Sequence, residues 1–305
     1  MRPLIHIGYH KTGSTWLARH LFRDHGSGLY AAARPRALHS AFVQVNQFAF
    51  DADATREALE PGMREAQARD LVPVLSHERL SGNSHSGGYD SKAIADRLVA
   101  TFPDARVLLV IREQTSMLVS LYKQYVKRGG AASFERYVGV PPARGPMPAF
   151  RFDFLEYHHL IGYYHSLFGA ANVLTLTYEL LRGEPQVFLA RIGEFLGTPA
   201  GKPETRWENV SPSAFSLDLK RHVNRYFVRD AVNPSPPLAF PRANELLLAG
   251  CRKADARIPR EVRARREREW HRRAEVEIGG RYAKSNSLTA RLTATDLAVL
   301  GYDCG

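Results

Sequence analysis

Short apolar segments that do not alternate with polar residues constrain the fold of this chain more than any other feature of its sequence. Four of them are rich in Val, Leu and Ile, which is typical of strands covered on both faces of a parallel sheet. Helical patterns lie between them, and strands that alternate with helices indicate βαβ units. The predicted strands are residues 4–8, 71–75, 107–111 and 173–177. The predicted helices are residues 15–22, 92–101, 117–127, 152–167 and 185–196.

These patterns predict an α/β fold, in which helices flank both faces of a parallel sheet. Beyond about residue 205 the patterns are helical, with proline-rich breaks at 233–241. A chain of 305 residues is long enough to bury a core without disulfides or metals. We therefore expect one integrated domain over 1–305, with an α/β core over 1–200 and a mainly helical part over 205–305.

Composition excludes several classes of protein. Hydrophobic residues make up 44% and charged residues 24% of the chain, which argues against a disordered or fibrous protein. The two cysteines, Cys251 and Cys304, are too few for a disulfide framework and favour a reducing compartment. No apolar run approaches the length of a membrane span, and the first residues lack the apolar core of a signal peptide. The expected location is the cytoplasm.

The net charge of +11 predicts attraction to polyanions. Much of it is local, since residues 252–273 contain ten Lys or Arg against four Asp or Glu. Within this stretch, 260–273 intersperses Glu261, Glu267 and Glu269 among its arginines. That spacing favours a solvated helix with i,i+4 ion pairs over a grip on nucleic acid, so no nucleic-acid partner is expected.

The loop after the first predicted strand has the composition of an anion site. Gly8 and Gly13 keep the G-x-x-x-x-G spacing of a P-loop, which turns backbone N–H groups toward a phosphate. Nucleotide-triphosphate loops have lysine directly after the second glycine, whereas here Ser14 follows and Lys11 lies mid-loop. A lysine there would reach a bridging or leaving-group oxygen. The alternative is an ordinary βα turn with a surface lysine.

A second anion site is indicated where the third predicted strand ends. Arg112 directly follows the apolar run, and Ser120 lies eight residues later within a predicted helix. An arginine at the end of a strand offers a fork of donors to phosphate, and the serine hydroxyl could donate to the same group. By itself the pair is also consistent with a structural salt bridge and a helix serine.

With both segments in place, the chain resembles the sulfotransferases that use 3′-phosphoadenosine 5′-phosphosulfate (PAPS), nearest to the bacterial carbohydrate-type members. GYHKTGSTWL at 8–17 is similar to the 5′-phosphosulfate loop, and VLLVIREQTSMLVS at 107–120 is similar to the 3′-phosphate motif. Weaker similarity extends to LTYELLRGEP at 176–185, FLG at 195–197 and the segment from 281. The resemblance implies a P-loop-like α/β fold, with PAPS as the sulfuryl donor. It also implies donor-binding roles for Lys11, Thr12, Gly13, Ser14, Thr15, Arg112 and Ser120.

One element of that family is missing in recognisable form. The adenine-side RKGxxG segment has no clear counterpart, and the nearest candidate is TRWENVS at 205–211. Its residues that could serve are Arg206, Trp207, Asn209 and Ser211.

Sulfuryl transfer needs a base for the acceptor proton and positive charge on the leaving oxygen, which Lys11 can supply. The base is expected where another strand ends, at His77 or Glu78. Neighbouring strand residues point to opposite faces, so only one of the two should face the acceptor. Glu78 is preferred, with Arg79 as a sulfate contact. An ion pair between Glu78 and Arg79 is the structural alternative.

These observations predict a PAPS-dependent sulfotransferase acting on a hydroxyl or amine of a glycan, lipid or small metabolite. The reaction demands no metal, and the histidines at 158, 159 and 165 fit core or acceptor-pocket packing better than a metal site. Residues 129–165 are the expected acceptor region. Two alternatives remain at this stage. One is a P-loop kinase or nucleotidase, and the other is a non-enzymatic polyanion-binding protein.

Overall fold

The protein contains a five-stranded parallel sheet in a computed structural model. The structure describes residues 2–23, 25–139, 150–199, 201, 211–229, 235–240 and 242–305. The strands occur in the spatial order β2-β3-β1-β4-β5, which places the first strand at the centre. They are β1 (Leu4–Gly8), β2 (Leu29–Ala31), β3 (Val72–Ser76), β4 (Arg106–Ile111) and β5 (Val173–Thr177).

Thirteen α-helices lie within the described residues. The seven that precede β5 are α1 (Ser14–His20), α2 (Pro35–Leu38), α3 (Ala52–Ala68), α4 (Ser91–Thr101), α5 (Gln114–Lys127), α6 (Phe134–Gly139) and α7 (Tyr157–Phe168). The six that follow are α8 (Tyr178–Gly183), α9 (Pro185–Leu196), α10 (Ala214–Phe227), α11 (Ala243–Arg257), α12 (Arg260–Ile278) and α13 (Ala283–Thr293). None of these helices combines the length and apolarity needed to cross a bilayer.

The predicted α/β class and the four predicted strands are confirmed, each strand to within one residue at either end. β2 was not predicted, because only three residues pair and they carry no long apolar run. The helix expected over 152–167 begins at Tyr157, after a 3₁₀ turn over Phe152–Leu155. The segment 260–273 is helical as predicted, within the longer α12.

The two faces of the sheet are covered by different helices. On one face, Leu108 and Val110 of β4 pack in a buried cluster with Leu17 of α1 and Phe188 of α9. Alternate residues of the same strand, such as Leu109, point to the other face and are also fully buried. There α3 contacts β2 and β3, and α7 contacts β4 and β5. Burial on both faces explains why the strands read as continuous apolar runs.

Contacts divide the chain into two compact units. Unit 1 takes its residues from three segments, Met1–Glu113, Asp153–Glu208 and Tyr282–Gly305, and contains the sheet. Unit 2 takes its residues from Gln114–Phe152 and Asn209–Arg281 and is helical where the structure describes it. The core of unit 2 is aromatic. Its Trp270 ring lies 4.8 Å from that of Tyr122, which is itself 5.1 Å from Phe134.

Burial of His6 in β1 should make the protein sensitive to acid. Desolvation lowers the pKa of this fully buried imidazole from 6.5 to about 4. Between those values the unfolded chain takes up a proton that the folded chain refuses, so stability is complete above pH 6.5 and falls toward pH 4. The shift corresponds to about 3 kcal/mol of unfolding free energy.

We therefore expect the loss of unfolding free energy between pH 7 and pH 4 to be about 3 kcal/mol smaller in His6→Gln than in the wild type. Urea unfolding at the two pH values measures it. The matched control is His222→Gln, because His222 is exposed on α10 and its removal should leave the pH dependence unchanged. Equal pH dependence in wild type and His6→Gln would contradict the assignment.

Candidate functional site

The loop between β1 and α1 is shaped by two glycines and one strained lysine. Gly8 and Gly13 have φ values of 98° and 89°, and Lys11 has a φ of 64°. A Cβ atom on Gly8 would lie 3.1 Å from the carbonyl oxygen of Glu78, and one on Gly13 would lie 2.7 Å from Cδ2 of Leu181. Other residues would therefore meet both an unfavourable backbone conformation and a close neighbour at these positions. The glycines let the loop turn sharply beside the end of β3.

Internal hydrogen bonds hold the loop in this shape. The buried Thr12 hydroxyl donates to the Tyr9 carbonyl oxygen at 2.7 Å, and Ser14 Oγ lies 3.4 Å from the same oxygen. Across the described residues, the amide N–H groups of Thr12 and Gly13 have no hydrogen-bond acceptor. Unpaired amides in a glycine loop are suited to an anion, as the sequence predicts.

Arg112 joins the loop to the end of β4. Its Nη1 donates to the Lys11 carbonyl oxygen at 3.1 Å, and its guanidinium lies 4.6 Å from the centroid of the Tyr178 ring. The Tyr157 hydroxyl donates to the Arg112 carbonyl oxygen at 2.6 Å. These contacts fix the arginine beside the loop, at the same edge of the sheet.

A half-buried carboxylate, that of Glu179, supports the residue after Arg112. Glu179 Oε1 accepts from the Glu113 amide at 3.1 Å, and its Oε2 accepts from the Tyr302 hydroxyl at 2.9 Å. Burial raises the pKa of Glu179, while the two hydrogen bonds and the charge of Arg112 oppose this shift. Glu179 therefore positions the backbone at the end of β4 and is not itself a candidate base.

The three polar residues that follow β3, at positions 77–79, contact different partners. His77 Nδ1 accepts from the Arg79 amide at 3.0 Å and so caps the turn that follows. Burial, then the nearby His39, lowers the pKa of His77 to about 4. Arg79 Nη2 donates to Asp90 Oδ2 at 2.6 Å, so the ion pair considered between Arg79 and Glu78 does not form. Asp90, which directly precedes α4, therefore offsets the charge of Arg79.

Glu78 instead faces the loop. Its Oε1 lies 3.4 Å from Nδ1 of His10, and a third of the Glu78 side chain is exposed. The other ring nitrogen of His10, Nε2, lies 3.2 Å from the Gly82 carbonyl oxygen. If Nε2 donates there, only a doubly protonated ring has a hydrogen left for Glu78. Sequence analysis did not join these residues, although the adjacency of β1 and β3 could have suggested it.

The remaining predicted residues lie elsewhere. Thr15 is exposed in the first turn of α1, and Ser120 is half-buried in the second turn of α5, within unit 2. Ser211 precedes α10 in unit 2. The other three candidates for the adenine side lie outside the described residues, namely Arg206, Trp207 and Asn209.

A cavity of about 440 Å³ lies in unit 1 against Tyr9, the residue between Gly8 and His10. Aromatic rings and carboxylates line it, including Phe154, Tyr163 and Glu156. These residues fall within the region expected to bind the acceptor. Two of its lining residues, Glu156 and His159, and the neighbouring His158 bring one ligand atom each within 4.8 Å of one another, an arrangement that could hold a metal ion.

One solved structure shares this fold, and two further solved structures are weaker matches. A solved sulfotransferase from Alicyclobacillus acidocaldarius is 19% identical over 74% of this chain and 93% of its own, with a TM-score of 0.51. The sulfotransferase domain of the Synechococcus PCC 7002 olefin synthase is 14% identical over 84% of this chain and 94% of its own (TM-score 0.42). That of the curacin biosynthetic pathway is also 14% identical, over 91% and 98% (TM-score 0.42). No curated protein matches the chain.

The family model described as "Sulfotransferase domain" matches residues 2–218. This span includes the glycine loop, the end of β3 and the segment from Arg112 to Ser120. Because the match covers well over half of the chain, the protein belongs to the sulfotransferase domain family and is a sulfotransferase.

Proposed function

We propose that this sulfotransferase takes its sulfuryl group from PAPS and transfers it to a hydroxyl or amine of a small polar acceptor, with Glu78 as the base. The observation that carries the proposal is the meeting of three strand ends. The glycine loop after β1 lies against the backbone of Glu78 after β3, and Arg112 after β4 donates to Lys11 within that loop. Ligands of such sheets bind at this edge.

The residues of unit 1 fit the phosphosulfate end of the donor. In PAPS the sulfuryl group is bonded to a phosphate oxygen. When the sulfuryl group is transferred, this S–O bond breaks and adenosine 3′,5′-bisphosphate leaves. The free amides of Thr12 and Gly13 would bind its 5′ end, while Lys11 would offset the charge that develops on the leaving oxygen. Arg112 would bind the 3′-phosphate.

Glu78 is better suited than His77 to accept the proton of the acceptor. His77 Nδ1 already accepts from the Arg79 amide and caps the turn, so this nitrogen is engaged. Glu78 keeps a third of its side chain exposed, and its Oε1 lies 3.4 Å from Nδ1 of His10 beside the glycine loop. We infer that Glu78 is the general base, and that His77 shapes the turn carrying it.

The cavity beside Tyr9 would bind the acceptor. Its volume of about 440 Å³ falls within the range of pockets for small ligands. Aromatic faces combined with carboxylates suit a sugar or another polyhydroxyl metabolite, since rings stack on such molecules and carboxylates accept from their hydroxyl groups. A carbohydrate acceptor is therefore favoured over a lipid.

Calorimetric titration without magnesium tests the donor assignment directly. We expect adenosine 3′,5′-bisphosphate to bind, and AMP to bind more weakly because it lacks the 3′-phosphate. ATP should bind no more tightly than AMP. Binding of ATP that requires magnesium would instead support a P-loop kinase or nucleotidase. If the protein binds DNA or heparin in a salt-sensitive manner and shows no preference for the bisphosphate, the polyanion-binding alternative is correct.

The same titration tests Arg112. Arg112→Ala should weaken binding of adenosine 3′,5′-bisphosphate by about tenfold or more, because a charge-assisted contact to the 3′-phosphate is lost. Affinity for AMP should change little. Equal losses for both nucleotides would mean that Arg112 acts by supporting the Lys11 carbonyl rather than by binding the 3′-phosphate. Unaltered affinity for the bisphosphate would contradict its assignment.

A further inference from the structure

Unit 2 contains a second concave site, distinct in composition from the loop of unit 1. An open cavity of about 600 Å³ is lined by residues before α10 and by residues of α5, α11 and α12. Four of its lining residues are cationic and two are acidic. We call it the arginine cavity, and its charged residues are Lys123, Arg252, Arg260, Arg263, Asp255 and Glu267.

The two carboxylates of the arginine cavity already have partners. Glu267 accepts from Lys123 Nζ in an ion pair. Asp255 accepts from the Ser213 amide at 2.8 Å and from Ser216 Oγ at 2.6 Å. Because both carboxylates already accept from other groups, they cannot also serve as full counter-ions for the three arginines.

The arginines are left with unused capacity. In the part of the chain that the structure describes, neither Arg252 nor Arg260 forms an ion pair, and Nε of Arg263 is buried without a hydrogen-bond acceptor. A buried donor without a partner is costly, so such a group commonly marks the place of a missing ligand or water. The nearby Lys127 is affected by the same positive charges. Its pKa is lowered by burial first, then by Arg252, Arg128 and Lys123.

We propose that the arginine cavity binds the phosphate or sulfate ester group of a small organic anion. Guanidinium forks match the oxygens of such groups, and three arginines around one cavity supply more positive charge than a single carboxylate needs. The cavity is also larger than a bare sulfate or phosphate ion requires, and Pro212 and Ala264 give part of its wall an apolar surface. The ligand therefore carries an organic group beside its anionic one.

One lining residue, Ser211, is also a candidate for the adenine side of the donor, but the three arginines belong to none of the segments assigned to it. The family match ends at residue 218, whereas Arg252, Arg260 and Arg263 all come later in the chain. The proposal therefore stands whether or not PAPS is the donor.

Calorimetry with glucose 6-phosphate and glucose 6-sulfate tests the proposal on the full chain, with glucose and inorganic phosphate as comparisons. We expect both esters to bind, glucose not to bind, and inorganic phosphate to bind more weakly than the esters. Arg260→Ala/Arg263→Ala should weaken ester binding by about tenfold or more. The matched control is Arg265→Ala/Arg268→Ala, which removes the same charge from exposed positions of α12. It should change affinity by about twofold at most.

Several outcomes would overturn the proposal. Equal weakening by the two double variants would show general surface attraction, and equal affinity for inorganic phosphate would remove the organic group from the ligand. Loss of adenosine 3′,5′-bisphosphate binding in Arg260→Ala/Arg263→Ala would make the cavity part of the donor site. Arg263→Lys provides a further check, because it keeps the charge but removes Nε. It should weaken ester binding severalfold if the fork itself is used.

Discussion

Lys11→Ala is expected to slow sulfuryl transfer by about a hundredfold or more, the effect typical of removing a preorganised transition-state donor. The loop holds Lys11 in a left-handed conformation, and Arg112 fixes its carbonyl oxygen. In the proposed role, the ammonium group would approach the leaving oxygen from a backbone that does not have to rearrange. The measurement is the single-turnover rate with radiolabelled PAPS and the best acceptor from a panel of sugars, amino sugars and phenols.

Two comparisons make this result specific to Lys11. Lys253→Ala removes an equal charge from an exposed position of α11 and should leave the rate unchanged. Binding of PAPS to Lys11→Ala should fall much less than the rate, because the interaction strengthens in the transition state. An unchanged rate would refute the assignment, while equal losses of rate and PAPS binding would reduce Lys11 to a binding residue.

Glu78→Gln is expected to lower the same rate by about a hundredfold or more, because the amide keeps the shape of the carboxylate but cannot accept a proton. Bisphosphate binding should be preserved, since Glu78 is assigned to the acceptor and not to the donor.

His77→Asn is the informative partner of that experiment. Asparagine Oδ1 can accept from the Arg79 amide as His77 Nδ1 does, so the turn should keep its cap. We expect the rate of His77→Asn to stay within about threefold of the wild type. If His77→Asn loses activity and Glu78→Gln retains it, the two roles are reversed.

The sequence allowed the sheet and the position of the site to be predicted because both follow from local patterns. Strands buried on both faces are continuous apolar runs, and the residues after them gather at one edge of a parallel sheet. Arg112 directly follows such a run, and Lys11 and Glu78 come shortly after one. That these residues lie near one another could therefore be predicted without knowledge of tertiary contacts. The anion loop was visible from the spacing of its two glycines.

Side-chain pairing could not be predicted in the same way. Arg79 is paired with Asp90, eleven residues away, and Glu78 lies beside His10 from the loop after β1. Glu78 and Arg79 are adjacent in sequence and opposite in charge, which suggested an ion pair between them. In the turn after β3, however, their side chains point in different directions. The arginine cavity combines residues from four parts of the chain, and no local pattern in the sequence joins them.

The hydrogen bond from Tyr302 to Glu179 has a consequence for how the protein is made. Glu179 holds the Glu113 amide beside Arg112, but Tyr302 follows all of unit 2 in the chain. During translation the sheet can form long before this support arrives, since chains emerge at about 5–20 residues per second. The end of β4 can therefore reach its final arrangement only after unit 2 has been synthesised. A chain shortened to residue 218, where the family match ends, would contain all five strands but not Tyr302. The segment at Arg112 would therefore lack the support that Tyr302 gives to Glu179.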